Sequence, residues 1–249
     1  MLAYGMTKTR DVEVASSGFR PLDRLLPQGG LARGCLVDWL CDDDVSGGAT
    51  LACAVGVSLA AGGGTLVVVD RGGRFHPPAV MPWLSGNAAT RGQLIVARPA
   101  RDDDEVWAID QCLRCPGVAA VVAWPSRVHP TAMRRWQVAA RSSQAVGLFM
   151  RPRRARREPS WAMHRIAVTP LPGGSLTVRW LRLAHADGPW SHDGIVSGAS
   201  LAIERMAEVA LDLTTGREAI GTDRRRQDAP PASCDYPPVH RGDVTCRAS

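Results

Sequence analysis

Short apolar segments alternate with segments of helical periodicity through the first 150 residues. Five runs rich in Val, Leu, Ile and Ala have the length of buried strands, namely residues 34–40, 65–69, 93–97, 118–123 and 146–150. Apolar residues at helical spacing predict helices over residues 18–26, 50–61, 103–115 and 131–143. Strands separated by helices of about a dozen residues form right-handed βαβ units. The pattern therefore predicts an α/β fold with a mainly parallel sheet flanked by helices.

The pattern changes after the last of these strands. Residues 165–169 and 175–183 are strand-like and are separated by Pro172-Gly173-Gly174, which predicts an antiparallel hairpin at the C-terminal edge of the sheet. Further along, the apolar residues between positions 201 and 213 could line one face of a short helix. Equally, residues 209–212 could be a strand that enters a turn. Periodicity leaves both alternatives open.

Composition is that of a globular protein with a polar C-terminal end. The chain has 249 residues, of which 45% are hydrophobic and 22% charged. Residues 221–249 contain several prolines and few large apolar side chains, so too little surface can be buried to offset the ordering entropy. We divide the chain into an N-terminal arm (1–13), a core domain (14–183), a C-terminal extension (184–220) and a tail predicted to be disordered (221–249).

Charge and cysteine content indicate the compartment and the type of partner. The net charge of +6 permits an acidic partner, but Lys8 is the only lysine, and so strong an arginine bias is typical of GC-rich genomes. No N-terminal stretch has the pattern of a secretion signal, and the longest apolar run, residues 51–61, is too short to span a bilayer. The seven cysteines lie mostly in apolar segments, which favours reduced thiols. We expect a cytoplasmic protein without membrane contact.

Residues 41–51 have the outline of a phosphate-binding loop without its chemical groups. Such a loop reads G-x-x-x-x-G-K-[ST], in which the lysine contacts the phosphates and the hydroxyl binds magnesium. Glycine and alanine occupy those two positions here, and three carboxylates lie where a triphosphate would sit and would repel it. The degenerate loop comprises Asp42, Asp43, Asp44, Ser46, Gly47, Gly48, Ala49 and Thr50. We expect no bound nucleotide, no other cofactor and no metal.

The residues before this loop resemble those of a known superfamily. The runs Ser16-Ser17-Gly18-Phe19-Arg20-Pro21-Leu22-Asp23 and Leu25-Leu26-Pro27-Gln28-Gly29-Gly30-Leu31-Ala32-Arg33-Gly34 resemble the start of the RecA recombinase core. Within that superfamily the chain is similar to the ImuA family, RecA-like accessory proteins of the bacterial inducible mutagenesis cassette. A later segment, from Met150-Arg151-Pro152 to Arg157-Glu158-Pro159-Ser160, is also similar to that family. The resemblance covers about residues 14–183.

The resemblance implies a RecA-like core and a role in SOS-induced, error-prone translesion DNA synthesis. Its implied partners are a recombinase of the RecA type and an ImuB-like polymerase homologue. The catalytic residues of a RecA-type ATPase are missing at the matching positions. The water-activating glutamate is absent from Val69-Asp70-Arg71-Gly72-Gly73, and the magnesium-binding aspartate is absent from Val121-Val122-Ala123-Trp124. With the lysine and the hydroxyl also missing, we expect no enzymatic activity. The alternative is a divergent NTPase in which Arg71 or Arg74 replaces the lysine.

A cluster of arginines is the candidate binding surface. It comprises Arg151, Arg153, Arg154, Arg156 and Arg157, and the preceding helical stretch adds Arg134, Arg135 and Arg141. Sequence-independent contact with single-stranded DNA is one interpretation, because arginines that neutralise phosphates release counterions. A protein interface and a solvated loop are the other two. A simple single-stranded DNA-binding protein therefore stays open as an alternative function.

Cysteine and tryptophan positions suggest packing rather than chemistry. Cys112 and Cys115 have the spacing of half a zinc site without a second pair, so we predict small buried residues on a helix. Three possible ligands in the tail, Cys234, His240 and Cys246, lack a fourth. The eight tryptophans are expected to pack in the core or at its edge, and any exposed one becomes a candidate interface anchor.

Overall fold

A large mixed sheet organises the protein. The computed structural model describes residues 13–41, 47–84, 92–125, 128–172, 175–183 and 201–219. Its helices are α1 (Arg20–Leu25), α2 (Gly48–Ala60), α3 (Pro77–Leu84), α4 (Asp102–Arg114) and α5 (Pro130–Ser143), with a 3₁₀ helix over Arg153–Arg157. Its strands are β1 (Val14–Ala15), β2 (Leu31–Ala32), β3 (Leu36–Cys41), β4 (Thr65–Val69), β5 (Gln93–Ala97), β6 (Val118–Ala123), β7 (Val146–Pro152), β8 (His164–Pro170), β9 (Leu176–Leu183), β10 (Leu201–Val209), β11 (Leu211–Asp212) and β12 (Arg217–Glu218).

Eight of the described strands form one sheet in the order β10-β9-β8-β3-β7-β6-β4-β5. The six strands from β3 to β8 are mutually parallel, whereas β9 and β10 are antiparallel additions. This arrangement confirms the predicted α/β fold with its antiparallel hairpin extension, and it is consistent with a RecA-like core. No helix in the described parts of the chain is long and apolar enough to cross a membrane.

Both faces of the sheet are covered, which explains why its central strands are apolar throughout. Side chains alternate along β3, so that Val37 and Trp39 pack in the cluster formed with α1, α2 and α3. Leu36, on the opposite face, packs with α4 and α5. We call the α1–α3 side the first face and the α4–α5 side the second face. The segment 153–160 covers the second face of β3 and β8 around Leu40 and Ala155.

Helix α2 lies close to the sheet because its residues are small. A Cβ added to Gly56 would lie 2.8 Å from Leu66 Cδ1, so only glycine permits this approach of the helix to β4. Most of α2 is buried, which accounts for its apolar sequence without a polar stripe.

The structure contains elements that the sequence did not predict. Helix α3 was not predicted, because the prolines Pro77, Pro78 and Pro82 obscure its periodicity. For residues 201–213 the helix is wrong, since residues 201–209 form strand β10, which was not predicted and pairs with β9. The alternative strand over residues 209–212 is found in part, as β11 (Leu211–Asp212), which enters the turn before β12. The predicted tail, residues 221–249, lies outside the described residues, as does almost all of the predicted arm.

Candidate functional site

The degenerate loop joins β3 to α2 at the carboxyl end of the parallel strands. Asp42, Asp43, Asp44 and Ser46 lie outside the described residues. The remaining members, 47–50, form the start of α2. Gly47 is its N-cap, with φ of +72° in the left-handed region that glycine tolerates. The position of the expected lysine, Gly48, is buried.

An apolar side chain packs against the start of α2. A Cβ added to Gly47 would lie 2.9 Å from Cδ2 of Leu176, the first residue of β9. Leu176 is itself buried and belongs to the core of the first face. Helix N-termini bind anions through free N–H groups and a favourable dipole, and the first turn here carries no basic side chain to assist. A leucine methyl group therefore contacts the turn that would have to hold a phosphate.

Asp70 follows β4 at the same edge of the sheet and serves a structural purpose. Its fully buried carboxylate accepts hydrogen bonds from the backbone N–H groups of Arg74 and Phe75, both at 2.9 Å. The guanidinium of Arg98 lies 4.0 Å from it. These contacts close the turn between β4 and α3, so the carboxylate already has its partners.

Arg71, one of the two arginines considered as a replacement for the lysine, pairs with carboxylates of α4. Arg71 pairs with Asp102 at 2.9 Å and lies 3.8 Å from Glu105, both on α4 and therefore on the second face of the sheet. Helix α2 packs on the first face. Arg74 lies in the turn that Asp70 closes. Arg71 is thus paired on the second face of the sheet, opposite the face on which α2 packs.

The arginine-rich segment forms a 3₁₀ helix with three distinct sides. Because this helix has three residues per turn, side chains at i and i+3 lie one above the other. Ala155 is buried against the sheet, Arg153 and Arg156 are half-buried, and Arg154 and Arg157 are exposed. We call the last four residues the arginine ladder, with Arg154 and Arg157 as its outer row.

Beneath the ladder, the buried residues Asp38, Arg151 and Arg165 form the buried ion-pair cluster, which the exposed residue Glu158 joins from the surface. Asp38 is in the centre of β3 and is fully buried. Its Oδ2 lies 3.1 Å from Nη1 of Arg151 and 3.2 Å from Nε of Arg165. Arg151 also pairs with Glu158. Asp38 is the one buried carboxylate shared by the two buried guanidinium groups, and the 49% exposed side chain of Glu158 supplies the second negative charge from the surface.

Arg165 attaches the 3₁₀ helix to the sheet. Its side chain is 1% exposed, and its guanidinium donates hydrogen bonds to three backbone carbonyls. The acceptors are Ala155, Arg156 at 3.0 Å and Glu158 at 3.2 Å. Burial lowers the pKa of Arg165, and the charge of Asp38 opposes that effect. Carbonyls at the end of the 3₁₀ helix are thereby satisfied without water.

Arg151 was grouped with the surface arginines from sequence, and the structure corrects this assignment. Its side chain is 4% exposed and lies within the buried ion-pair cluster. It is the penultimate residue of strand β7, where the side chain points to the sheet's covered second face. Asp38 and Arg165 were not among the candidate residues, although each is a charged residue in an otherwise apolar strand. A charged residue within such a strand was the sequence signal that could have identified both residues.

Arg134 and Arg135 of α5 are both exposed but have different partners. Arg135 and Arg114 both contact Asp110, at 3.2 and 2.8 Å. Burial alone would raise the pKa of Asp110, but the hydrogen bonds and charges of the two arginines hold it below its usual value. Arg134 is exposed, and its guanidinium lies 5.4 Å from the ring centre of Trp161 beside the ladder segment.

The remaining candidates from the sequence are the cysteines and tryptophans, whose burial can be compared with the predictions. Cys112 is half-buried, with a pKa raised by burial, but Cys115 is exposed, so the prediction that both are buried is wrong for Cys115. Within the described residues no group of three metal ligands occurs, and Cys234, His240 and Cys246 fall outside them. Trp39 and Trp136 are core residues as expected, whereas Trp107 on α4 is 62% exposed.

Comparisons with known proteins add no assignment to this geometry. No protein-family model matches the chain, and no curated protein matches it.

Proposed function

We propose that this protein is a RecA-like accessory subunit that does not hydrolyse nucleotide and acts as a scaffold in SOS-induced, error-prone translesion synthesis. Its proposed partners are a recombinase of the RecA type and a polymerase homologue similar to ImuB, met in the cytoplasm. The resemblance of residues 14–183 to the ImuA family supports this role. A fold that is consistent with a RecA-like core gives that resemblance a structural basis.

One observation carries the non-hydrolysing part of the proposal, namely the apolar start of α2. Leu176 packs against Gly47, and the lysine position is a buried glycine. Phosphoryl transfer depends on positioning and on neutralising the phosphate charge. The lysine position holds glycine, and Asp70, the acid that follows β4, is engaged in its own turn. A RecA-type subunit without this chemistry is suited to binding partners.

Calorimetry with ATP and magnesium tests the first part. We expect no binding heat, because the phosphate-contacting groups are replaced by glycine, alanine and carboxylates. Micromolar binding with turnover would instead support the divergent NTPase. A recombinase preparation with an intact phosphate-binding loop is the positive control.

Size-exclusion chromatography with light scattering on mixtures tests the second part. The full chain is combined with a RecA-type recombinase and, separately, with the polymerase homologue. We expect a defined complex with at least one of them, and two unchanged elution profiles would refute the scaffold role.

A pair of variants locates the protein interface. Trp107 and Met206 are each 62% exposed, on α4 and on β10. Exposed tryptophans are enriched among interface anchors, so Trp107→Ala should weaken the complex more than Met206→Ala does. Equal effects, or none, would leave Trp107 without this role.

A further inference from the structure

Cys112 and Cys115 lie at the end of α4, where the chain turns toward β6. Helix α4 ends at Arg114, and Cys115 is its C-cap, with its backbone N–H donating to the carbonyl of Cys112 at 3.2 Å. The backbone N–H of Val118 donates in turn to the carbonyl of Cys115 at 3.3 Å, which closes the Pro116-Gly117 turn. Cys115 is thus fixed between two hydrogen-bonded turns. We call the two cysteines the dithiol.

The two side chains of the dithiol point to the same side of the helix. The direction of a Cα–Cβ bond relative to the preceding helical turn is set by φ, and φ of Cys115 is −76°, close to the helical value. Its ψ of 121° is extended, but that angle directs only the chain that follows. Residues three apart on a helix lie on one face, with Cβ atoms about 5–6 Å apart. The two Cβ atoms are therefore neighbours.

Solvent reaches one thiol of the pair more easily than the other. Cys115 is exposed, and its thiol donates a weak hydrogen bond to the carbonyl of Pro116 at 3.6 Å. Cys112 is half-buried and packs at the edge of the second-face core. Burial raises the pKa of the Cys112 thiol, and the neighbouring Cys115 raises it further. A reagent in solution therefore meets Cys115 first, with Cys112 beside it.

The two residues between the cysteines restrain the last turn of α4. Leu113 is buried in the core of the second face, and its carbonyl accepts a hydrogen bond from the hydroxyl of Ser143 on α5. Arg114 pairs with Asp110 at 2.8 Å. Because these contacts hold the turn on both sides, the spacing of the dithiol is a property of the folded protein and not of a free loop.

A disulfide fits this spacing with a small adjustment. It needs Cα atoms about 4.4–6.8 Å apart and Cβ atoms about 3.5–4.5 Å apart. The ends of a hydrogen-bonded four-residue turn have Cα atoms less than about 7 Å apart, whereas the Cβ atoms have to approach by about 1–2 Å. Strained and exposed disulfides are the ones that are readily reduced. The geometry therefore suits a reversible bond.

Two other uses of a C-x-x-C pair fit this position poorly. A structural zinc site takes four ligands, and among the residues that the structure describes no group of three metal-binding side chains occurs. Catalytic dithiols have thiolates that a helix N-terminus stabilises, but this pair lies at a C-terminus, where the dipole disfavours negative charge. The arrangement favours slow, reversible oxidation over catalysis.

We propose that the dithiol is a reversible redox-modification site whose substrate is a low-molecular-weight disulfide such as oxidised glutathione. The Cys115 thiolate attacks one sulfur of that disulfide and forms a mixed disulfide, and the released half takes up the proton that Cys115 lost. The Cys112 thiolate then attacks the sulfur of Cys115, so the protein disulfide forms and the second half leaves as a thiol. Two protein thiols are oxidised and one small disulfide is reduced to two thiols. Excess reduced thiol reverses both steps.

Trypsin makes this disulfide directly visible, because the two cysteines fall in different peptides. Cleavage after Arg101, Arg114 and Arg127 gives peptides 102–114 and 115–127. The native chain is treated with oxidised glutathione, quenched in acid, alkylated and digested. We expect mass spectrometry to detect the two peptides linked, and excess reduced glutathione to return both to the alkylated form. Absence of the linked pair, or a link that excess reduced glutathione leaves intact, would overturn the proposal.

Single variants test the order of the two steps. Cys112→Ser should stop the reaction at a glutathione adduct on Cys115, because the second thiol has been removed. Cys115→Ser should leave Cys112 largely unmodified, since that thiol is half-buried. Equal adduct formation in the two variants would contradict the assigned roles.

Cys53 serves as the internal control for exposure. It is 4% exposed, and burial raises its pKa to about 12, so it should stay unmodified in the native chain and react once the chain is unfolded in urea. Modification of Cys53 to the same extent as Cys115 in the native chain would show that oxidation does not select the dithiol. The reaction requires neither nucleotide nor a protein partner, so its outcome is separate from that of the experiments above.

Discussion

Two regions of this protein are related to phosphate chemistry in opposite ways. Before α2, the sequence has the outline of a phosphate-binding loop, but glycine and alanine replace its lysine and hydroxyl, and Leu176 packs against Gly47. In the 3₁₀ helix, the side chains suit phosphate, and a separate buried cluster holds them. The difference shows that loop outline and binding chemistry vary independently, so a site has to be assigned from its side chains and their supports.

The largest expected effect concerns the support of the ladder. Asp38→Asn leaves Arg151 and Arg165 facing each other in the interior without the carboxylate between them. An uncompensated buried charge costs about 3–5 kcal/mol of unfolding free energy. Urea denaturation followed by circular dichroism measures it.

The control for this prediction is Asp103→Asn, at an exposed position in the first turn of α4. Removing that charge should change the unfolding free energy by less than about 1 kcal/mol. Similar losses in both variants would mean that the buried ion-pair cluster is not the special support inferred for it.

The next largest effect is expected at His164, the residue that precedes Arg165 on β8. His164 lies on the opposite face of β8, is almost fully buried, and has no hydrogen-bond partner for either ring nitrogen among the described residues. Burial lowers its pKa from 6.5 to about 4. The folded protein therefore keeps His164 neutral at a pH where the unfolded chain binds a proton.

The sign of the pH dependence follows from that difference. Stability from the neutral imidazole is complete above pH 6.5 and is lost as the pH falls toward 4, by about 3 kcal/mol in total. Unfolding free energies of the wild type and of His164→Gln, measured across this range, should converge as the pH falls. Parallel curves would show that His164 titrates alike in the folded and unfolded chains.

Sequence reasoning located the sheet well because its strands are apolar on both faces, as β4 and β6 illustrate. It missed α3, since proline obscures helical periodicity there. It did not predict β10, because pairing with β9, a tertiary contact, selects a strand over residues 201–209.

At the candidate site, the sequence indicated the arginine ladder by composition alone. It could not separate Arg151 from its neighbours, because only the path of β7 decides that this side chain faces the covered sheet. Asp38 and Arg165 are far apart in the chain and become partners through the pairing of β3 with β8. The order of the strands in the sheet brings these residues together, and the local sequence pattern does not indicate that order.

The smallest expected effect tests the apolar start of α2. Gly47→Ala places a Cβ on a residue with φ of +72°, which costs about 1–2 kcal/mol, and the new methyl group also meets Leu176. Gly73→Ala is the matched control, since Gly73 has φ of +68° and nothing within 4 Å of its added Cβ. Thermal denaturation should therefore show a larger loss for Gly47→Ala than for Gly73→Ala.

The excess loss isolates the contact between the loop and β9. In a Leu176→Ala background the extra cost of Gly47→Ala should disappear, because the atom that the new methyl group meets has been removed. If the two glycine variants differ equally in both backgrounds, Leu176 does not press on this turn. The missing lysine and hydroxyl would then be the only features that separate the degenerate loop from a working phosphate site.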